Sequence, residues 1–259
     1  MGVRRSIDTG LRTLVCLVLF PAAVIVCSLR IIVLALVGAP RPRIDRIYVQ
    51  FARFCVRVAG TRIETHGTEH IVPGQAYVIV ANHESVLDPV VLMAVLEDLA
   101  VRFIVKKMLV RIPIFGQALL ASGNVMVART NTPGDVHRIR DVMSQRDPDV
   151  SILFYAEGGR ARDGSLRPFK KGAFRTALSE RLPILPVATA GTFPLWTPDT
   201  LRIRKGGVVL EVGPPLPVEG LALEARDRLC EQAQNAVREL RASARRRLRA
   251  LDMDPGGVD

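Results

Sequence analysis

Apolar and polar positions alternate along this chain in three regimes. From Thr13 to Leu29 no residue is charged, and Arg30 is the only charge between Thr13 and Gly38. As one helix this stretch would be roughly 39 Å long, more than a bilayer's hydrocarbon core requires. Pro21 and Arg30 interrupt it, so it reads as a tilted span or as a shorter helical hairpin that dips into one leaflet. Arg4, Arg5 and Arg12 precede it, and Arg41, Arg43 and Arg46 follow. Positive charge on both flanks favours both ends on the cytoplasmic side, and hence the re-entrant hairpin. The second regime, Ile44 to Val58, places Ile47, Phe51, Phe54, Cys55 and Val58 at helical spacing and predicts an amphipathic helix.

In the third regime short apolar runs alternate with helical patterns. Strands are predicted at Arg62–Thr65, Ala76–Ala81, Arg102–Val105, Asn124–Ala128, Ser151–Tyr155, Ile184–Ala188 and Val208–Val212. Helices are predicted at Pro89–Glu97, Ile114–Ala121, Gly134–Ser144, Ala173–Arg181 and Leu223–Leu251. This alternation predicts an α/β fold, a largely parallel mixed sheet flanked by helices, with the N-terminal membrane-associated helix or hairpin outside it. The expected organisation is an anchor and amphipathic helix over 1–60, a catalytic domain over 61–252, and a disordered tail over 253–259.

Charge narrows the partners. The chain has 36 Lys+Arg against 25 Asp+Glu, a net +11, which suits anionic membranes, phosphorylated substrates or nucleic acid. Aromatics make up only 5% and do not interleave with the basic residues, which argues against stacking on single-stranded nucleic acid. The final helix is rich in arginine at Arg241, Arg245, Arg246, Arg247 and Arg249. These read as a solvated face suited to a helix C-terminus, or as a contact for anionic headgroups. Cys16, Cys27, Cys55 and Cys230 lie far apart and match no metal pattern, so neither zinc nor a disulfide framework is expected. Pro40, just after Val37-Gly38-Ala39, speaks against a cleaved signal peptide. The Met1-Gly2…Ser6 match to an N-myristoylation pattern is short and redundant with the anchor.

Two strand ends carry candidate chemistry. The run Tyr77–Ala81 leads into Asn82-His83-Glu84-Ser85-Val86-Leu87-Asp88-Pro89. Five helical residues turn the chain by about 500°, so His83 and Asp88 meet only across a non-helical turn. Asp88-Pro89 supplies a helix start, with Asp88 as N-cap, and lets the carboxylate face back toward the imidazole. A carboxylate on one ring nitrogen leaves the other free to take a proton. The second strand, Ser151–Tyr155, ends in Ala156-Glu157-Gly158-Gly159-Arg160. Gly158 permits close backbone approach to a ligand, Arg160 suits a phosphate, and Glu157 can hold Arg160 or bind a hydroxyl. Taken alone this reads as an ordinary Gly-Gly turn with a surface ion pair. Arg162, Arg167, Lys170, Lys171 and Arg175 follow, suited to a phosphorylated headgroup. In open α/β sheets ligands bind outside the carboxyl ends of strands, so both clusters can share one crevice.

Together these blocks resemble the membrane-bound glycerolipid acyltransferases, specifically the 1-acylglycerol-3-phosphate acyltransferase group. Asn82-His83-…-Asp88 matches the family's Asn-His-x4-Asp motif, and Gly123–Arg129 is similar to its Gly-…-Arg block. Tyr155-Ala156-Glu157-Gly158-Gly159-Arg160-Ala161 is similar to Phe-Pro-Glu-Gly-Thr-Arg-Ser, and Leu185-Pro186-Val187-Ala188 to a Val-Pro-Val-like block. The resemblance covers about Ala76 to Gly191. Tyr155-Ala156, Gly159 and Ala161 depart from the third motif and remove two hydroxyls from the acceptor side, so a different lysolipid acceptor is a live alternative.

The resemblance implies acyl transfer from an acyl thioester, acyl-CoA or acyl carrier protein, to a lysophospholipid hydroxyl, with no resident cofactor and no metal. It implies His83 as general base oriented by Asp88, and Glu157, Gly158 and Arg160 as the acceptor's phosphate seat. Arg129 would add a second positive charge there, and Lys106 a contact to phosphate or oxyanion. The expected setting is the membrane, with the catalytic domain on the cytoplasmic face and no nucleic-acid partner. The alternatives are an acyl-thioester hydrolase and a non-catalytic anionic-lipid-binding protein.

Overall fold

The computed structural model describes residues 2–127 and 133–251; the expected tail, 253–259, lies outside the described residues. α1 (Gly2–Leu36) is one continuous helix that accommodates Pro21 in its interior. The apolar stretch therefore does not fold back on itself, correcting the expectation of a hairpin within it. The reversal comes at Gly38, whose φ of +65° turns the chain, and the Ala39 N–H donates to Leu34 O at 2.9 Å. α2 (Arg41–Ala59) then runs back along α1 and ends at left-handed Gly60, whose N–H returns to the helix carbonyls.

One face of α1 packs on the protein and the other does not. Ile31 sits among Ile44, Ile47 and Ala118, and Cys16 against Ala59 and Ile203. The Ile203 N–H donates to Thr13 Oγ1 at 3.0 Å. Leu11, Leu14, Val18, Ile25, Leu29, Val33 and Leu36 form an exposed stripe at helical spacing. Asp8–Leu36 is long and apolar enough to cross a membrane, yet one face of it is docked. An unburied apolar helix of this length makes the chain membrane-associated.

The sheet has seven strands: β1 (Thr61–His66), β2 (Val78–Ala81), β3 (Val101–Lys106), β4 (Val125–Val127), β5 (Ser151–Tyr155), β6 (Ile184–Ala190) and β7 (Gly206–Val212). Their order is β1-β7-β6-β2-β5-β3-β4, and every neighbouring pair is parallel except β6–β7. Both faces are covered, which is why the strands read as unbroken apolar runs. Val78 and Val80 face α5 (Pro133–Ser144), α6 (Gly172–Glu180) and α8 (Arg226–Ala250), whereas Ile79 and Ala81 face α3 (Asp88–Val95) and α7 (Thr192–Leu195). α4 (Phe115–Ala121) packs on α1. All seven predicted strands form, with ends shifted by one or two residues. The expected helix over Leu223–Leu251 opens as a short 3-10 turn, Leu223–Ala225, before α8.

Candidate active site

Three adjacent parallel strands deliver the site. Ala81 at the end of β2 lies opposite Tyr155 of β5 on one side and Val187 of β6 on the other. The chain leaves these strands through Asn82–Asp88, Ala156–Lys170 and Gly191–Leu195, so three loops converge at one edge of the sheet. Asn82 continues the pairing with its side chain: its amide donates to Thr189 O at 3.0 Å and accepts from the Thr189 N–H at 2.8 Å. Seating the first turn at this height fixes where His83 begins.

His83 Nδ1 lies 2.8 Å from Asp88 Oδ2. The same oxygen accepts the N–H groups of Glu84 at 2.7 Å and Ser85 at 2.8 Å, and Thr192 donates its hydroxyl to Oδ1 at 2.5 Å. Asp88 is fully buried, and each of these contacts uses it as an acceptor, so Nδ1 of His83 carries the proton that points at it. Nε2 makes no hydrogen bond among the described residues, and the side chain keeps 12% exposure. The expected capping role is corrected. The residue in N-cap position is Leu87, and the Asp88 carboxylate turns back onto the loop instead of capping its own helix. The helix nonetheless starts at Asp88, as the Asp-Pro pair predicts.

Glu157 joins the second loop to the first. Its Oε1 accepts the His83 N–H at 2.7 Å and its Oε2 accepts the Arg167 N–H at 2.8 Å. Burial pushes its carboxyl up, against the pull of those two donors. Gly158, at φ +74°, lets the chain turn beside Lys170, where a Cβ would lie 2.6 Å from the Lys170 side chain. Arg160 is exposed and makes no ion pair among the described residues. Lys106, also exposed, ends β3 at the same sheet edge. Arg129 lies outside the described residues.

The sequence assigned no role at the site to Tyr155 or Thr192, and the structure corrects the reading of Arg241 as part of a solvated or headgroup-facing surface. Tyr155 stacks on His83, with ring centroids 4.0 Å apart and planes 17° apart. Its buried hydroxyl has no partner among the described residues, and burial, with Asp88 nearby, pushes it well above the ordinary phenol range. Thr192 holds Asp88 from the third loop; its signal is position, directly after Gly191 at a strand end. Arg241 is buried and pairs with buried Glu84 at 2.7 Å. Its signal was legible, because it falls in the apolar stripe Ala233, Val237, Ala244 and Leu248, where a charge needs a partner.

Beside the His83 turn lies a cavity of about 500 Å³. α1 supplies Phe20 and Val24, α2 supplies Phe51, and the turn itself supplies Val86 and Leu87, with Trp196 closing one side. A lining this apolar suits a hydrocarbon chain and offers nothing to a headgroup.

A family model described as acyltransferase matches residues 62–190, which contain the first two of these loops and end with β6, just before the third. Human 1-acyl-sn-glycerol-3-phosphate acyltransferase alpha is 32% identical over 180 residues, 69% of this chain and 63% of that protein. A 1-acyl-sn-glycerol-3-phosphate acyltransferase from Limnanthes douglasii is 28% identical over 188 residues, 72% of this chain and 66% of that one. The chain thus spans less than two thirds of either relative. The crystal structure of the 1-acyl-sn-glycerophosphate (LPA) acyltransferase PlsC from Thermotoga maritima shares the fold, with a TM-score of 0.75 and 22% identity over 91% of this chain and 97% of that one. The chain belongs to the glycerolipid acyltransferase family.

Proposed function

We propose that the protein transfers an acyl group from an acyl thioester to the free hydroxyl of a lysophospholipid, with 1-acyl-glycerol-3-phosphate as acceptor and phosphatidic acid as product. The observation that carries this is the His83–Asp88 pair, whose second imidazole nitrogen has no partner among the described residues, in a turn whose Val86 and Leu87 line an apolar cavity. Nε2 takes the proton of the acceptor hydroxyl as its oxygen attacks the thioester carbonyl. The carbon–sulfur bond then breaks, and the leaving thiolate receives that proton from the imidazolium. Such a base contributes about 10²–10⁴-fold. Asp88 fixes the tautomer and stabilises the imidazolium, and Tyr155 keeps the ring in plane.

The cavity holds the acyl tail, and the exposed guanidinium of Arg160, with Gly158 beside it, seats the acceptor phosphate. Glu157 serves that seat indirectly, by tying its loop to His83. Lys106 supplies further positive charge at the same edge, and the family resemblance assigns Arg129 a like charge. The docked face of α1 favours a helix lying in one leaflet with its stripe in the acyl layer, and the catalytic domain on the cytoplasmic face. Acyl-CoA and acyl carrier protein both present the required thioester.

Purified full-length protein in mixed micelles, supplied with one acyl-CoA and a panel of lysolipids, tests the reading. Acceptor-dependent product is expected, and His83→Ala should abolish it without changing folding. Near-normal turnover by that variant would refute the base assignment, and free fatty acid independent of acceptor would make the protein a thioester hydrolase. Arg160→Ala should raise KM for the phosphorylated acceptor; a loss in kcat alone at saturation would remove Arg160 from the seat.

A further inference from the structure

We propose that Arg241 is a positioning residue that locks the loop carrying Arg160 onto the His83–Asp88 turn, gripping Glu84 on one side and the Gly164 carbonyl on the other. The proposal rests on the acyl-transfer reading for its kinetic consequence, but not for its geometry. Nη2 of Arg241 lies 2.7 Å from Glu84 Oε2 and also donates to Gly164 O. Nε of Arg241 adds a 3.3 Å contact to the same carboxylate oxygen, and Arg245, one turn along α8, donates to Gly164 O at 3.1 Å.

These contacts reach both halves of the site from behind. Glu84 follows His83 directly, and its N–H holds Asp88 while its side chain points away to Arg241. Gly164 lies four residues beyond Arg160. Glu157 fixes the two ends of that loop at His83 and Arg167; between them the Ala161 N–H reaches His83 O at 3.4 Å, which is long for a hydrogen bond. Arg241 itself has little freedom. Its helix is seated by Ala233, Val237, Ala244 and Leu248, each 4% exposed or less. Only a rigid fork of donors engages a carboxylate and a carbonyl in fixed directions together, which an ammonium group does not do.

A buried ion pair that served folding alone would be replaceable by apolar side chains, often without loss of stability. This separates the two roles. Three full-length variants are compared with the native chain at about pH 8.5, where Glu84 is ionised: Arg241→Lys, Arg241→Gln and the double variant Glu84→Leu/Arg241→Leu. Two quantities are read: amide hydrogen exchange across Gly158–Arg167, and KM for lysophosphatidic acid and for acyl-CoA separately.

All three variants should show faster exchange confined to Gly158–Arg167 and an acceptor KM raised about tenfold, with donor KM unchanged. The double variant should do so while its Tm stays near the native value. If it keeps acceptor KM and loop exchange within about twofold of native, the pair is merely structural and the proposal is overturned. Should the double variant fail to fold, Arg241→Lys, which keeps the charge, decides by the same two criteria. If the native chain transfers no acyl group, the acyl-transfer reading fails, and loop exchange alone decides the lock: acceleration supports it and unchanged exchange overturns it.

Discussion

Replacing Asp88 with Asn exchanges one oxygen for a nitrogen at the most heavily used acceptor in the site. An amide oxygen placed at the Oδ2 position still accepts from His83 Nδ1, Glu84 N–H and Ser85 N–H. The amide nitrogen then faces Thr192 Oγ1, which can rotate and accept. The hydrogen-bond count survives, so the stability loss should stay near 1–2 kcal/mol, a Tm drop of about 2–8 °C in a chain of this size. What disappears is the charge facing the imidazolium. With nitrogen and oxygen 2.8 Å apart, the charge centres lie about 4 Å apart, worth about 4 kcal/mol at an effective dielectric constant of 20. The barrier to proton abstraction should rise by that amount and kcat fall about a thousandfold, with acceptor and donor KM little changed. Steady-state kinetics at saturating lysophosphatidic acid, with Tm measured on the same preparation, provide the assay. If kcat fell less than about tenfold in a folded Asp88→Asn protein, no imidazolium would build up in the rate-determining transition state, and His83 would not be the base.

Burial raises the Glu84 carboxyl to about 7 from an ordinary 4.5, despite Arg241. Its proton is thus held more tightly in the folded chain, so its stabilising contribution is present below about pH 4.5 and lost as pH rises through about 7. The unfolding free energy of the native chain minus that of Glu84→Gln should therefore grow as pH falls from about 8 to 5, by no more than about 3 kcal/mol; a flat difference would contradict it. Tyr155→Phe keeps the ring stack and removes a buried hydroxyl that has no partner among the described residues, so it should stabilise by about 1 kcal/mol with kcat unchanged, whereas Tyr155→Leu should lower kcat. Equal kinetics for the two variants would deny the stack a role. Val90→Trp intrudes on the cavity and should lower kcat/KM for long-chain relative to short-chain acyl-CoA, by about tenfold if two methylenes are expelled at about 0.8 kcal/mol each. An unchanged ratio would place the acyl tail elsewhere.

The sheet was legible because strands buried on both faces, such as Val78–Ala81 and Ser151–Tyr155, read as unbroken apolar runs bounded by turns. The His83–Asp88 contact was legible because its spacing excluded a helix and its Asp-Pro pair started one. The turn of the Asp88 carboxylate back toward His83 was legible too; what periodicity does not report is that the Glu84 and Ser85 N–H groups share that carboxylate in place of a capping contact. The sequence left a tilted helix and a hairpin both open for α1: Pro21 forfeits one backbone bond, but the helix packs on α2 and α4 and continues through it. Glu157 was read as a ligand for Arg160 or a hydroxyl; its two backbone contacts are made to residues 74 and 10 positions away, which no local pattern carries. Arg241 was hidden among neighbouring arginines, although its place in the apolar stripe distinguished it from Arg246 and Arg249, which remain exposed.

α1 has two different faces: one carries the exposed apolar stripe and the other walls the cavity beside the His83 turn. On the acyl-transfer reading, the enzyme therefore meets its lipid acceptor in two dimensions. The quantity that sets its rate is the mole fraction of lysolipid in the surrounding bilayer, so diluting the acceptor with inert lipid should slow turnover even when the bulk concentration is held constant. A chain cut free of α1 would lose one wall of its substrate site along with its tether, and no amount of soluble substrate would compensate for both.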